Sequence, residues 1–381
     1  MTTADHFAEL ATRRSVVVCC GTGGVGKTTA AAAIALEAAR RGRNACVVTI
    51  DPAKRLANAL GIESLSDTPA EIAPAIWDPA GTSTGRLSAL MLDTKSTFDR
   101  LVTRYAGDED QSRRILDNRF YRNVSGALGG TQEYMAMEKL HELHAEGGYD
   151  LIVVDTPPTR HALDFVDAPA RLLRLLDNRV FRLLMMPTRA YLKVASIAVQ
   201  TFLRTVARVV GRDVIDDVVA FFRAFEGMEA GFRERAAKVQ ELIADDETAF
   251  VLVTTPRRDA LDEAEFFAHR LTDHSLSVSA LIVNRVHPSF TDTPLTVLHA
   301  EAERLAADDP ARAERYRALA GLETVARHER AELTRLRERL AHADVVLVPL
   351  LAHDVHDLDG LATIADHLFG ARPLPPDTAS A

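Results

Sequence analysis

The stretch Gly21-Thr22-Gly23-Gly24-Val25-Gly26-Lys27-Thr28-Thr29 combines a glycine-rich loop with a lysine and two hydroxyls. It follows an apolar run at 16–20 and precedes an alanine-rich helical stretch at 30–40. Between a strand and a helix, G-x-x-x-x-G-K-T is a phosphate cradle. Gly21, Gly23, Gly24 and Gly26 let main-chain N–H groups turn inward onto phosphate oxygens, and the helix start adds its partial positive charge. Thr22, Val25 and Thr29 complete the expected binding stretch. Lys27 is expected at the β- and γ-phosphates and Thr28 on Mg²⁺. That chemistry is the binding of a nucleoside triphosphate.

Two carboxylates stand where a triphosphate needs them. Asp155 follows Leu151-Ile152-Val153-Val154, and an acid ending an apolar strand assists Mg²⁺, acting through the metal's water shell. Asp before Thr156-Pro157-Pro158 is also good turn chemistry. Asp51 leaves the strand expected at 45–50 on the carboxyl edge, where open α/β sheets bind ligands. There it is placed to help hold Mg²⁺ and to orient or deprotonate the water that attacks the γ-phosphate. Asp51-Pro52 is equally an N-cap with proline at the first position of a helix over 54–60. Both roles are compatible.

The elements that must position these residues follow from the hydrophobic pattern. Strands are expected at 16–20, 45–50, 87–92, 151–154, 250–254, 280–283 and 345–348. Several are apolar on successive residues, as strands covered on both faces are. Long helical stretches separate them, so the fold class is α/β, a doubly wound, mostly parallel sheet of the P-loop NTPase kind with a helical insertion subdomain. A single ATPase domain over 1–381 is expected, with helical insertions at about 95–145 and 161–245 and a disordered tail at 371–381. The three cysteines, Cys19, Cys20 and Cys46, lie in apolar runs and read as buried thiols, and no C-x-x-C pair occurs. The polar N-terminus and the lack of a long apolar run predict a cytoplasmic protein. A net charge of −9 argues against general affinity for nucleic acid.

Together these residues resemble the ArsA-type ATPases, the group of the arsenite-pump ATPase and the targeting ATPase for tail-anchored membrane proteins. The likeness runs in order through the phosphate loop, the Asp51-Pro52-Ala53 first switch, the strand ending at Asp93, and the stretch from Ser125-Gly126 to Glu133. It continues through the second switch, Asp155-Thr156-Pro157-Pro158-Thr159-Arg160-His161-Ala162-Leu163, and Val253-Thr254-Thr255-Pro256, which opens a helix carrying Glu263 and Glu265. It ends at Asn284 and at the loop opened by Val348-Pro349-Leu350. The resemblance implies a Mg²⁺- and ATP-dependent dimer that moves attached helical subdomains. It also implies that Asn284 and the loop after Pro349 recognise adenine.

Two departures matter. Thr22 stands where the family carries a signature lysine that crosses to the partner's nucleotide, and a cation supplied in trans is worth on the order of 10³–10⁵ in rate. Slow turnover, substitution by Arg160, or a heterodimer with a lysine-bearing paralogous ATPase are the three outcomes, with the heterodimer favoured over a homodimer. The interval 287–342 holds no cysteine, so no structural zinc is predicted.

In the second insertion, Val218, Phe222, Phe225, Met228, Phe232, Ala236, Val239 and Ile243 follow Ile215 at helical spacing and predict one continuous apolar helix face. Packing onto the protein is the simpler reading of that face. A groove wall for a hydrophobic protein client is the sharper one, with Met185-Met186 and 191–203 contributing. Arg171, Arg174, Arg179, Arg182, Arg189, Lys193, Arg204, Arg208 and Arg212 make the block basic, as a solvated face or a peripheral contact with anionic membrane surface. A non-catalytic regulatory or chaperone subunit and a ParA/MinD-like positioning ATPase are the competing functions.

Overall fold

Apolar runs too short for helices and flanked by glycine or proline pair as strands, and here they gather into one eight-stranded sheet. The strands are β1 (Val16–Cys20), β2 (Asn44–Thr49), β3 (Ala70–Glu71), β4 (Arg86–Met91), β5 (Leu151–Asp155), β6 (Thr248–Thr254), β7 (Val278–Val286) and β8 (Asp344–Pro349). Their order is β3-β4-β2-β5-β1-β6-β7-β8. Neighbours from β2 to β8 pair in parallel, and β3 pairs antiparallel with β4. The computed structural model describes residues 3–51, 55–124, 131–157, 162–178, 212–340 and 343–370.

The helices are α1 (Thr3–Thr12), α2 (Lys27–Arg40), α3 (Arg55–Ala59), α4 (Pro74–Trp77), α5 (Thr94–Tyr105), α6 (Glu109–Leu116), α7 (Arg119–Val124) and α8 (Thr131–Glu146). They continue with α9 (Ala162–Asp177), α10 (Arg212–Ala224), α11 (Glu229–Ala244), α12 (Arg258–Asp273), α13 (Leu295–Leu305), α14 (Pro310–Arg339) and α15 (Leu358–Leu368). The chain forms two compact units. The first is Met1–Leu90, Gly148–Ala162 and Asp246–Ala381; the second is Met91–Gly147 and Leu163–Asp245.

In the first unit every residue of β1, β5 and β6 is buried, which explains their uninterrupted apolar character. The alanines of α2 are buried from Ala30 to Ala33, and their small side chains let the helix lie close to the sheet. Phe7 of α1 packs edge-on against Phe369 at 5.3 Å, closing the helical layer over α2 and α15. Cys19, Cys20 and Cys46 are buried free thiols.

Among the described residues, the second unit is helical apart from Met91, where β4 ends. Phe98 and Tyr105 of α5 meet Phe232 of α11 at 6.4 and 5.4 Å, and Phe221 of α10 meets Phe225 at 4.9 Å. The sequence predicts one continuous apolar helix from 215 to 243; the structure has two, with a turn between α10 and α11. Gly227 takes a φ of 89° there, and Gln111 donates to the Ala224 and Glu226 carbonyls that the broken helix leaves open. Phe225, Met228, Phe232, Ala236, Val239 and Ile243 are buried, so these residues form internal core and not the open groove wall. The contributing stretches 185–186 and 191–203, and most of the basic block, lie outside the described residues, as does the 371–381 tail.

Under this aromatic cluster, Arg235 of α11 donates to Glu138 of α8 at 2.6 Å, with both side chains buried. Burial pushes the Glu138 carboxyl above its ordinary range while the guanidinium pulls it back down. Removing one member of such a pair strands the other charge, at a cost of about 3–5 kcal/mol. Glu138→Ala should therefore lower urea-unfolding stability by about 3 kcal/mol. The double variant Glu138→Leu/Arg235→Met should recover most of that loss; equal losses in the two variants would contradict the pair's role.

Candidate nucleotide site

The loop between β1 and α2 is shaped by close approach. Gly21 has φ 148°, and a Cβ there would stand 2.1 Å from the Val253 carbonyl oxygen. Gly26 has φ 100°, and its Cβ would stand 2.3 Å from Asn284 Nδ2. Only glycine fits either position. Gly26 is also the N-cap of α2 and offers no side-chain hydrogen bond to its first turn. Those first-turn amides are left to face an anion.

Lys27 is buried, and its ammonium donates to the Thr22 carbonyl at 2.8 Å, folding back across the loop. Burial holds it below the ordinary lysine range, while Asp155 and Asp51 pull it back up. Register brings the second carboxylate to the same place. Asp155 pairs with Cys19 on one neighbouring strand and with Thr49 on the other. Its Oδ2 accepts from Thr28 Oγ1 at 2.7 Å and from Thr49 Oγ1 at 2.9 Å. Burial pushes the carboxyl up to about 6, against the pull of those two hydroxyls and of Lys27.

The other oxygen, Asp155 Oδ1, is buried without a hydrogen-bond partner. A buried carboxylate oxygen left over beside a hydroxyl suits a hard cation or its bound water. Lys27, Thr28, Asp51, Arg55, Thr156 and Arg285 line a cavity of about 350 Å³ over the loop. The donor set and the cradle fit Mg²⁺ and a triphosphate.

Asp51 lies in this cavity, with its carboxylate 3.5 Å from the Arg55 guanidinium. Its neighbours Pro52 and Ala53 lie outside the described residues, as do 125–130 and 158–161 with Arg160. Asn284 donates to the Val25 carbonyl at 2.9 Å. With Pro349 it lines an adjoining cavity of about 250 Å³ that also includes Gly26 and Thr29. Glu263 faces a third cavity beside Thr22, Gly23 and Gly24, whereas Glu265 pairs with Arg339. Asp93 is the N-cap of α5, accepting from the Ser96 amide.

Three residues of the site, Thr49, Arg55 and Arg285, carry no motif, and Thr156 belongs to the second switch. Thr49 holds Asp155, and Thr156 donates to the Cys19 carbonyl at 2.7 Å, tying β5 to β1 beside the loop. Arg55 faces Asp51, and Arg285 donates to the Gly24 carbonyl at 3.2 Å. A hydroxyl at the carboxyl end of β2 was the one available signal, for Thr49.

The sequence profile of the anion-transporting ATPases, ArsA_ATPase, matches residues 14–304. A protein of Aquifex aeolicus provisionally named arsenical pump-driving ATPase 1 is 23% identical over 94% of this chain and 79% of its own. ATPase get3 of Aspergillus terreus is 25% identical over 70% of this chain and 71% of its own. ATPase GET3 of Malassezia globosa is 24% identical over 71% and 72%. The phosphate loop, the strand-end carboxylates and strands β1 to β7 fall within the matched span, and the chain belongs to the anion-transporting ATPase family.

Proposed function

We propose that this chain binds ATP with Mg²⁺ over the 21–29 loop, hydrolyses it, and uses the cycle to bias the helical unit formed by Met91–Gly147 and Leu163–Asp245. The observation that supports this most is the Thr28–Asp155 hydrogen bond beside an unpartnered Asp155 oxygen, at the mouth of a glycine cradle. Family membership supports ATP as the nucleotide.

In this reading the amides from Gly21 to Thr29 surround the phosphates, and Lys27 leaves the Thr22 carbonyl to close on the β- and γ-oxygens. Thr28, Asp155 and Asp51 are the residues that would hold Mg²⁺. When bound, Mg²⁺ would neutralise phosphate charge. Asp51 takes the proton of the attacking water as its oxygen bonds to the γ-phosphorus and the bond to the β-phosphate oxygen breaks. Asn284 and the loop after Pro349 receive the base. Thr22 carries no charge to lend to a second subunit, so the favoured assembly is a heterodimer in which a lysine-bearing paralogue completes this site. The coupling route is covalent: the chain enters the helical unit after Ala162, just downstream of Asp155. That unit is the proposed effector, toward a protein client or a membrane surface.

Lys27→Ala should weaken ATP binding by about 100-fold in equilibrium titration. Asp51→Asn should keep affinity within a few fold while steady-state phosphate release falls by about 10²–10⁴-fold. Unchanged ATP affinity in Lys27→Ala would end the nucleotide reading, and unchanged turnover in Asp51→Asn would remove that residue from catalysis.

Asp155 also makes a prediction about pH. Its carboxyl keeps a proton to higher pH in the folded state than in the unfolded chain, since burial raises it from 3.8 to about 6. Its favourable contribution is therefore complete below about pH 4 and lost as pH rises through about 6, a change of about 3 kcal/mol. Without Mg²⁺, Asp155→Asn should melt above the native chain at pH 8 and level with it at pH 4. A variant that melts lower at pH 8 would mean that the neighbouring hydroxyls and ammonium outweigh burial.

A further inference from the structure

Arg285 stands at the end of β7 with a φ of 62°, in the left-handed region that side-chain-bearing residues rarely occupy. Strain of this kind persists only where the surroundings enforce it. Here the surroundings are the phosphate loop. Arg285 Nη1 donates to the Gly24 carbonyl at 3.2 Å, and its neighbour Asn284 donates to the Val25 carbonyl at 2.9 Å. Two adjacent residues of one strand end thus hold two successive carbonyls of the loop.

A trans peptide points its C=O and the following N–H in opposite directions. Holding the Gly24 and Val25 carbonyls toward β7 therefore turns the Val25 and Gly26 N–H groups away from it, as an anion cradle requires. The guanidinium has five N–H donors and a charge that does not titrate away. Arg285 lines both the cavity that contains Lys27, Thr28 and Asp51 and the one that contains Asn284 and Pro349. The first of these cavities has another arginine, Arg55, but that guanidinium already faces Asp51 at 3.5 Å.

We propose that Arg285 is a second cation, beside Lys27, that this chain supplies to the bound nucleotide, fixing the Gly24–Val25 peptide and setting its charge on the wall shared by the two cavities. The proposal rests on the ATP reading above and extends it. That charge acts from the same chain, in addition to any cation a partner brings, and it favours a triphosphate over a diphosphate because the more anionic ligand gains more from it.

The test is equilibrium titration of the full chain with fluorescent ATP and ADP analogues in Mg²⁺, paired with thermal melting. Arg285→Gly removes the cation and suits the left-handed backbone, so it keeps the fold. Arg285→Lys keeps the charge. Arg285→Gly should weaken the ATP analogue by about tenfold and the ADP analogue by less than about threefold. Arg285→Lys should stay within about threefold of the native chain for both, and the glycine defect should shrink as salt rises. Native-like binding of both analogues by Arg285→Gly, with Lys27→Ala defective, overturns the proposal and leaves the ATP reading standing. Equal losses for ATP and ADP in both Arg285 variants overturn it too, because the residue is then only a brace for the loop. A native chain that binds neither analogue removes the ATP reading itself.

Discussion

Asp155 is a carboxylate at the buried centre of the sheet, with both hydroxyl partners on one of its oxygens. A charge in that position is costly unless something answers it, and Thr28 and Thr49 answer half. The arrangement depends on parallel register. Asp155 is level with Thr49 on β2 and with Cys19 on β1, so Thr49 of β2 and Thr28 in the first turn of α2 converge on one atom. A slip of one residue in β5 would turn the carboxyl to the opposite face of the sheet, away from α2. The buried valines on both faces of β5 hold the register, which makes the hydrophobic core the device that aims the acid. The unanswered oxygen is then a consequence of position and a reason for a cation to bind.

The loop itself is held from outside. Gly21 sits against the Val253 carbonyl and Gly26 against the Asn284 amide, at approaches no side chain would allow. The ends of β6 and β7 thereby act as a mould for a segment that has no regular hydrogen bonding of its own. Rigidity of this kind favours binding, because amides already aimed at the phosphates need no reorganisation. It also explains why β7 carries polar residues at its carboxyl end after the buried run Ala280–Val283. Packing secures the strand, and its last side chains are free to brace the loop.

The sheet was legible because seven of its strands carry apolar runs, several of them apolar on successive residues. The eighth, β3, is a two-residue antiparallel edge with both residues exposed, and carries no hydrophobic pattern to read. Lys27, Thr28 and Asp155 stood out as candidates because their types and spacing match a phosphate-loop pattern, and the structure brings them together. Arg285 did not. Its partner Gly24 is distant in sequence, and an exposed arginine beside an asparagine resembles any solvated strand end. The break at Gly227 was missed for a related reason. Apolar residues keep helical spacing straight through 225–228 and mask the local stop at Gly227, where Gln111 caps the open carbonyls from another segment.

That break also bears on what the helical unit can offer to a client. Burying a phenylalanine contributes about 1.5–3 kcal/mol, so exposing Phe98, Phe225 and Phe232 together would cost about 5–9 kcal/mol. Their ring centroids lie 5.6–6.4 Å apart, and the cluster opens as one body or not at all. A ligand shifts a conformational equilibrium only by its differential affinity for the two states, and coupling between sites is typically about 1–3 kcal/mol. Nucleotide binding of ordinary coupling strength therefore leaves this aromatic core closed. An apolar client surface, if the unit has one, must be built from side chains outside that cluster. The aromatic residues are then a rigid core within that unit.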